Sequence, residues 1–294
     1  MSVCQASVYD INDIVTDYNR AVSDVPHCYP IATGDWEESG SGLWLVALKD
    51  GQIRGLSYVS MAEKDPIDET ENALGTLGFF WYQRGCRSLG QELLQESENW
   101  LTEHGAHAIQ AFHYDHTPGF YHAEHAYLSS RMEQVSALLG NNGYTRGQGE
   151  VVLDWPNYRV DAEDADCPMS YDIALDWEER PSGQKGLTVW ARRENEDMGI
   201  CVCTPLSDQS PSPLARNWTY TRWLAVDPDI QHRGLGSFLV RRALAELYSI
   251  GYRHATICCI DDNYRALLLY SNLGYQAVDW TYTWRKKLAA PSMS

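Results

Sequence analysis

Trp223-Leu224-Ala225-Val226-Asp227-Pro228-Asp229-Ile230-Gln231-His232-Arg233-Gly234-Leu235-Gly236-Ser237-Phe238-Leu239 decides how this chain reads. It begins as a short apolar strand closed by Val226, and Asp227-Pro228-Asp229 supplies turn chemistry. Gly234 and Gly236 then open a helix that runs to about Ile250. Leu235, Phe238, Leu239, Ala243 and Leu247 fall at helical spacing, and Gly251 is its stop. Small residues at a helix start let backbone N–H groups approach a ligand, and the helix end adds about half a positive charge. The stretch therefore predicts an anion site, although the glycines alone fit a plain strand–helix turn equally well.

A second stretch, Asn263-Tyr264-Arg265-Ala266-Leu267-Leu268-Leu269-Tyr270-Ser271-Asn272-Leu273-Gly274-Tyr275, follows an apolar strand at 255–260. Asp261-Asp262-Asn263 is a helix-start signal. Ala266, Leu269, Tyr270 and Leu273 share one helical face, and Gly274 separates the helix from a strand over 275–284.

Together the two stretches resemble the GCN5-related N-acetyltransferase (GNAT) superfamily. Its acetyl-CoA loop reads Gln/Arg-x-x-Gly-x-Gly/Ala, which Gln231-His232-Arg233-Gly234-Leu235-Gly236 matches at every position. Its second motif reads Asn-x-x-Ala-x-x-x-Tyr-x-x-x-Gly-Phe/Tyr, matched by Asn263, Ala266, Tyr270, Gly274 and Tyr275. The resemblance is densest over residues 215–285. It implies an α/β (α+β) fold with a mixed, mostly antiparallel sheet flanked by helices. It also implies transfer of an acetyl group from acetyl-CoA to a primary amine of a small molecule or peptide.

The resemblance further implies roles for named residues. The coenzyme's pantetheine arm would lie along strand backbone around Leu224 and Val226, with an N–H near Val226 facing the thioester oxygen. Backbone N–H groups of Gln231, His232, Arg233, Gly234, Leu235, Gly236 and Ser237 would cradle the pyrophosphate. Asn263 would contact the coenzyme, cap its helix, or do both. Tyr270 matches the general acid, although an aromatic on an apolar helix face also suits a core. Many relatives place a carboxylate base on the strand before the loop. Here Asn217-Trp218-Thr219-Tyr220-Thr221-Arg222-Trp223 holds no Asp or Glu. Asp261, Glu150 or a carboxylate from the first half remain candidates, as does a substrate that arrives neutral, and no base is assigned. That gap keeps a second function class open, an acyl-CoA-binding sensor or interaction module without turnover.

The order of elements repeats. In the first half the pattern gives a helix over 11–22, a loop over 33–42 and a hairpin over 43–48 and 53–61. An acidic loop over 62–73, a strand over 74–81 and a helix over 88–104 follow. The last elements are strands over 108–114 and 149–155 around a short helix over 132–139. A strand over 171–177 suits either half; in the second half come strands over 187–192 and 198–205, then the two stretches above. Gly90 and Gly105 register on Gly236 and Gly251, and Gly143-Tyr144 on Gly274-Tyr275. The first copy has Gly85 and Ser88 where the second has Gln231 and Gly234, and Met132 and Leu139 where the second has Asn263 and Tyr270. Residues 1–155 thus read as a degenerate GNAT-like domain, 156–170 as a linker and 171–294 as the acetyl-CoA-binding domain.

Composition sets outer bounds. With 294 residues the chain suits two domains, and 44% hydrophobic content with 11 Trp and 18 Tyr supports packed cores. No apolar run approaches the roughly 18 residues of a membrane span. A net charge of −17 disfavours nucleic acid and is compatible with a cationic amine. Eight scattered cysteines without a Cys-x-x-Cys pair argue against a zinc cluster and for a reducing, cytoplasmic setting. His113, His116, His122 and His125 form the one histidine cluster, read as an aromatic loop in preference to a metal site, so no metal is expected. The chain is expected to be a monomer or homodimer with a small-molecule or peptide amine as partner.

Overall fold

The computed structural model describes residues 2–6, 9–37, 42–62, 73–113, 115, 118, 121, 125–160, 167, 170–194 and 196–288. They form two compact units, Met1–Glu150 with Asp279–Ser294, and Val151–Val278. The division expected at 156–170 falls partly outside the described residues. The boundaries at Glu150 and Val278 fall within the strands Thr145–Trp155 and Gln276–Lys287.

The first unit contains β1 (Ser2–Gln5), α1 (Ile11–Val22), α2 (Thr33–Glu37), β2 (Leu43–Lys49), β3 (Gln52–Ala62) and β4 (Leu74–Tyr82). There follow α3 (Arg87–Glu103), β5 (Ala108–Ala111), β6 (Leu128–Ser129), α4 (Glu133–Asn141) and the start of β7 (Thr145–Trp155). The C-terminal strand β13 (Gln276–Lys287) supplies its Asp279–Lys287 part. The sheet order is β1-β2-β3-β4-β5-β13-β7, with β6 also on β13. Only β4 and β5 run parallel among the pairs with a described register, joined from Leu74–Ala108 to Leu77–Ala111. Thr33–Glu37 is a helical turn within the segment expected to be a loop. The strand expected to reach residue 114 stops at Ala111, where Phe112 turns to a positive φ of 58°.

The second unit uses Val151–Trp155 of β7, then β8 (Asp172–Glu179), β9 (Lys185–Arg193), β10 (Glu196–Pro205) and β11 (Trp218–Val226). After these come α5 (Leu235–Ser249), β12 (His254–Ile260), α6 (Tyr264–Leu273) and the first residues of β13. The order β13-β7-β12-β11-β10-β9-β8 makes β8 an outer strand of this unit. Here too a single described pair, β11–β12, is parallel. Alternation along the strands sends Leu187, Val189, Ala191, Cys201, Cys203, Ala255, Ile257 and Cys259 to one face. They form a core with Leu235, Phe238, Leu239, Ala243, Leu244 and Leu247 of α5. The mixed, mostly antiparallel α/β architecture read from the sequence is thus the observed one.

The copies differ in their first connection. β1 and β2 are linked through α1 and α2, whereas β8 and β9 are joined by a turn in which Gly183 N donates to Arg180 O. The second copy has no helix at that place.

Candidate active site

β11 is bent by its own sequence register. Against β10, Val202 pairs with Trp223 and Cys203 with Thr221, so Arg222 is an extra, bulged residue. A bulge kinks the strand and raises its twist. Against β12, the ladder between described residues runs from Trp218–His254 to Tyr220–Thr256 and ends there. Beyond it the two parallel strands part, and the last five residues of β11 lose the burial of the first part. Leu224 and Val226 turn toward α5, where a side chain at Gly236 would meet Val226 Cγ2 at 3.6 Å and Leu224 Cδ2 at 3.9 Å. Trp223 and Ala225 alternate to the other face.

The loop from Val226 to α5 is held by short-range bonds. Asp227 accepts from Asp229 N at 2.8 Å, and Ile230 N donates to Asp227 O at 3.1 Å. Gln231 Nε2 donates to Val226 O at 3.0 Å, tying the loop to the strand end. His232 and Gly234 then take positive φ of 65° and 87°. Gly234 suits that left-handed geometry, which costs a side-chain-bearing residue energy. It is the N-cap of α5 and no side chain caps it. The first helical bond is Phe238 N to Gly234 O at 3.0 Å. Among the described residues the amides of Leu235, Gly236 and Ser237 therefore have no protein acceptor, and the first turn carries no acidic residue. Exposed His232 and Arg233 flank it. This is the arrangement that binds anions: uncapped N–H groups at the positive end of a 15-residue helix. Arg242 is engaged with Glu246 along the helix, as a solvated face would be.

α6 begins at Asn263, whose side chain accepts from Ala266 N at 3.2 Å. Tyr270 lies two helical turns further on, at 4% exposure, with its ring 5.6 Å from that of Tyr275 at 66°. Its hydroxyl has no hydrogen-bond partner among the described residues. Burial, followed by the Cys201, Cys259 and Cys203 thiols, pushes that hydroxyl well above the usual tyrosine range. It stays protonated at neutral pH and so has a proton to donate. Packing thus fixes the ring, while the O–H is uncommitted.

The residues of the two motifs accordingly lie within one unit, around the parted strands and the start of α5. Other candidates lie elsewhere or do other work. Glu150 is buried in the first unit, beside Gln148 Nε2 at 3.4 Å. Asp261 is half-buried at the end of β12. Of the histidine cluster, His116 and His122 lie outside the described residues. No group of three His, Cys, Asp or Glu side chains among the described residues is placed to hold a metal ion. No helix among them is long and apolar enough to cross a membrane. The bulge at Arg222 and the exposure of Trp223 were not read from the sequence. Strand pairing reveals the bulge, and the first copy shares it: Gly78 is the extra residue of β4 at the matching place, between Leu77 and Phe79.

Comparison with known proteins agrees with this geometry. The acetyltransferase (GNAT) family model matches residues 152–275. No curated protein matches the sequence. Among solved structures, a GCN5-related glucosamine N-acetyltransferase region of a fungal multi-domain GH3 β-N-acetylglucosaminidase superposes with a TM-score of 0.66 at 13% identity. It covers 97% of this chain, which spans only 38% of that protein's length. A tandem GNAT protein from the clavulanic acid biosynthesis pathway gives 0.66 at 12% identity, with 99% of each chain covered. A GCN5-related N-acetyltransferase from Sphaerobacter thermophilus gives 0.64 at 13% identity, covering 97% of this chain and 95% of its own. At such identities these likenesses concern the fold. The match to the GNAT acetyltransferase family thus lies on residues 152–275, in a chain whose fold is that of tandem GNAT proteins.

Proposed function

We propose that the second unit is an N-acetyltransferase that uses acetyl-CoA and a primary amine. The observation that carries this reading is the uncapped start of α5 beside the parted ends of β11 and β12. The residues fit the coenzyme on two counts. The amides of Leu235, Gly236 and Ser237 are donors awaiting an anion, and Gly236 puts no side chain between α5 and the strand end at Val226. The coenzyme would supply a thioester: the amine nitrogen bonds to the acyl carbon as the C–S bond breaks, leaving a thiolate.

This chain's own groups then have distinct tasks. Gln231 fixes the loop on Val226 O, and the α5 amides bind diphosphate oxygens through charge-assisted bonds. Leu224 and Val226 hold the pantetheine arm. Tyr270 keeps a proton at its hydroxyl for the departing thiolate. A positioned acid of this kind is worth about 10²–10⁴ in rate. β11 offers no carboxylate as base, so the ammonium loses its proton to solvent or to another group before attack.

That missing carboxylate is also the one observation favouring a second reading, a coenzyme-binding sensor without turnover. Titration calorimetry with acetyl-CoA and thiol release with a panel of amines separate the two. Binding with thiol release dependent on amine supports the transferase. Binding without release for any amine supports the sensor, and absence of binding sinks both.

A further inference from the structure

The two copies carry the same bulge, and what covers it differs. On β4 the bulge at Gly78 precedes Phe79, paired with Tyr58; on β11 the bulge at Arg222 precedes Trp223, paired with Val202. Leu74 pairs with Ala108 as Trp218 pairs with His254, which fixes the same correspondence. Phe79 and Trp223 are therefore equivalent positions, one residue past the bulge. Phe79 is completely buried, whereas Trp223 is 62% exposed.

The cover over Phe79 is aromatic. Tyr18 of α1 packs on it with ring centroids 5.2 Å apart, and Tyr121 at 5.3 Å. The second copy has no helix between β8 and β9 to supply an equivalent of Tyr18. The surroundings of Trp223 are apolar. Val202 lies beside it on β10, and Ile200 and Ala225 form the neighbouring pair on the same face. Ile260, on that face of β12 by alternation from Thr256, is 43% exposed. Asp261 and Asp262 follow Ile260 directly. The face borders the parted strands, opposite to the side on which α5 presents its amides.

Resting on the transferase reading above, we infer that Trp223 is the specificity-determining residue for the acceptor, and that the acceptor is an amine bearing an aromatic ring. Its ring takes the place that Tyr18 and Tyr121 occupy over Phe79 in the first copy. Its ammonium end faces the thioester site, in a mouth whose Asp261 and Asp262 favour a cation. A sugar amine or polyamine would leave Trp223 uncovered.

The test compares kcat/KM for 2-phenylethylamine, spermidine and glucosamine with acetyl-CoA, in the full chain and in Trp223→Ala and Trp223→Phe. Phenylethylamine should be the best of the three. Trp223→Ala should cut its advantage over spermidine about tenfold, the scale of one lost aromatic pair with its contact area, mainly through KM. Trp223→Phe should restore most of it. Equal or better turnover of spermidine or glucosamine, or an unchanged ratio in Trp223→Ala, overturns the inference while the transferase reading stands. Calorimetry with acetyl-CoA keeps the two apart, since a chain that does not bind it overturns the transferase reading and this inference together. Loss of binding only in Trp223→Ala, without rescue in Trp223→Phe, assigns the residue to folding and overturns its role in specificity.

Discussion

β4 and β11 are the same strand built twice, with opposite outcomes. Both carry a bulge at the same register position and both run parallel to one neighbour over a short ladder. β4 is buried along all nine residues, while β11 is uncovered from Arg222 onward. The strand ends show why. Tyr82 is the register equivalent of Val226, and its ring lies where a side chain at Gly90 would stand, 2.6 Å from Cδ1. Its hydroxyl donates to Gln134 O at 2.9 Å. In the first copy the strand fills its own gap with a tyrosine. In the second, Val226 is too short to do so, and the start of α5 stays accessible. The closed copy and the open one thus differ first in side-chain volume, and only then in motif residues.

The closed copy is also locked from behind, which gives the largest expected effect. His27 Nδ1 lies 3.4 Å from Asp279 Oδ2, both side chains wholly buried, and the His27 ring meets Tyr121 at 5.8 Å. Ser130 N and Oγ and Trp280 N donate to Asp279 Oδ1 at 3.1, 2.8 and 2.8 Å, and Ser129 Oγ donates to Oδ2. Burial raises the Asp279 carboxyl, but His27 and the two serines outweigh it and hold the group below the usual carboxylate range. Asp279→Ala should cost several kcal/mol, about 1–3 kcal/mol for each buried donor left without its acceptor, read by denaturant unfolding of the full chain. A depressed folded pKa adds stability above the unfolded value, near 3.9, that is lost as pH falls through the folded one. Asp279→Asn should therefore flatten the acid limb of the stability profile below about pH 4. An unchanged acid limb would mean the carboxylate is not the group that locks this unit.

Next in size is the chemistry of the open copy. Tyr270→Phe removes a hydroxyl with no partner among the described residues and leaves the ring in its packing. The expected result is a loss of about 10² in kcat at nearly unchanged melting temperature and coenzyme affinity. Because burial keeps that hydroxyl protonated through neutral pH, the wild-type rate should show no basic limb from Tyr270 below pH 10. A fall of less than threefold would return Tyr270 to the role of a core aromatic.

The paired glycines sharpen the contrast directly. Gly90→Ala sets a methyl against the Tyr82 ring, and overpacking of this kind costs about 1–3 kcal/mol. Gly236→Ala meets its neighbours at ordinary contact distances, so it should be neutral or stabilising by up to about 1 kcal/mol through helix propensity. Its effect should appear in coenzyme affinity. If both variants destabilise alike, the gap in the second copy is not open in solution.

Much of this was legible in the sequence, and the part that was not has a physical cause. The helices, the glycine loop and the Asn263–Gly274 stretch are local patterns, set by periodicity and capping, and they appear where the residues put them. Registering the copies on Gly90 and Gly236 aligned the helices but not the strands, because the connection from β11 to β12 is two residues longer than that from β4 to β5. That offset hid the equivalence of Tyr82 with Val226 and of Phe79 with Trp223. The bulges at Gly78 and Arg222 are properties of strand pairing, which no single segment encodes. The parting at Glu150 and Val278 is likewise a matter of which strands find each other across more than a hundred residues.

The smallest expected effect separates two tasks assigned to one side chain. Asn263 accepts from Ala266 N, and Asn263→Ala should cost about 1 kcal/mol, the usual value of a lost N-cap. That result alone would not say whether the residue also meets the coenzyme. Asn263→Asp does, because aspartate caps as well as asparagine and suits the positive end of a helix. Stability should therefore be kept. A side chain that touches the coenzyme now brings a negative charge toward an anionic ligand, so acetyl-CoA affinity should fall several-fold, and more steeply at low salt than at high. If affinity is unchanged at both ionic strengths, Asn263 serves α6 alone, and the second motif contributes through the chemistry of Tyr270 and not through coenzyme binding.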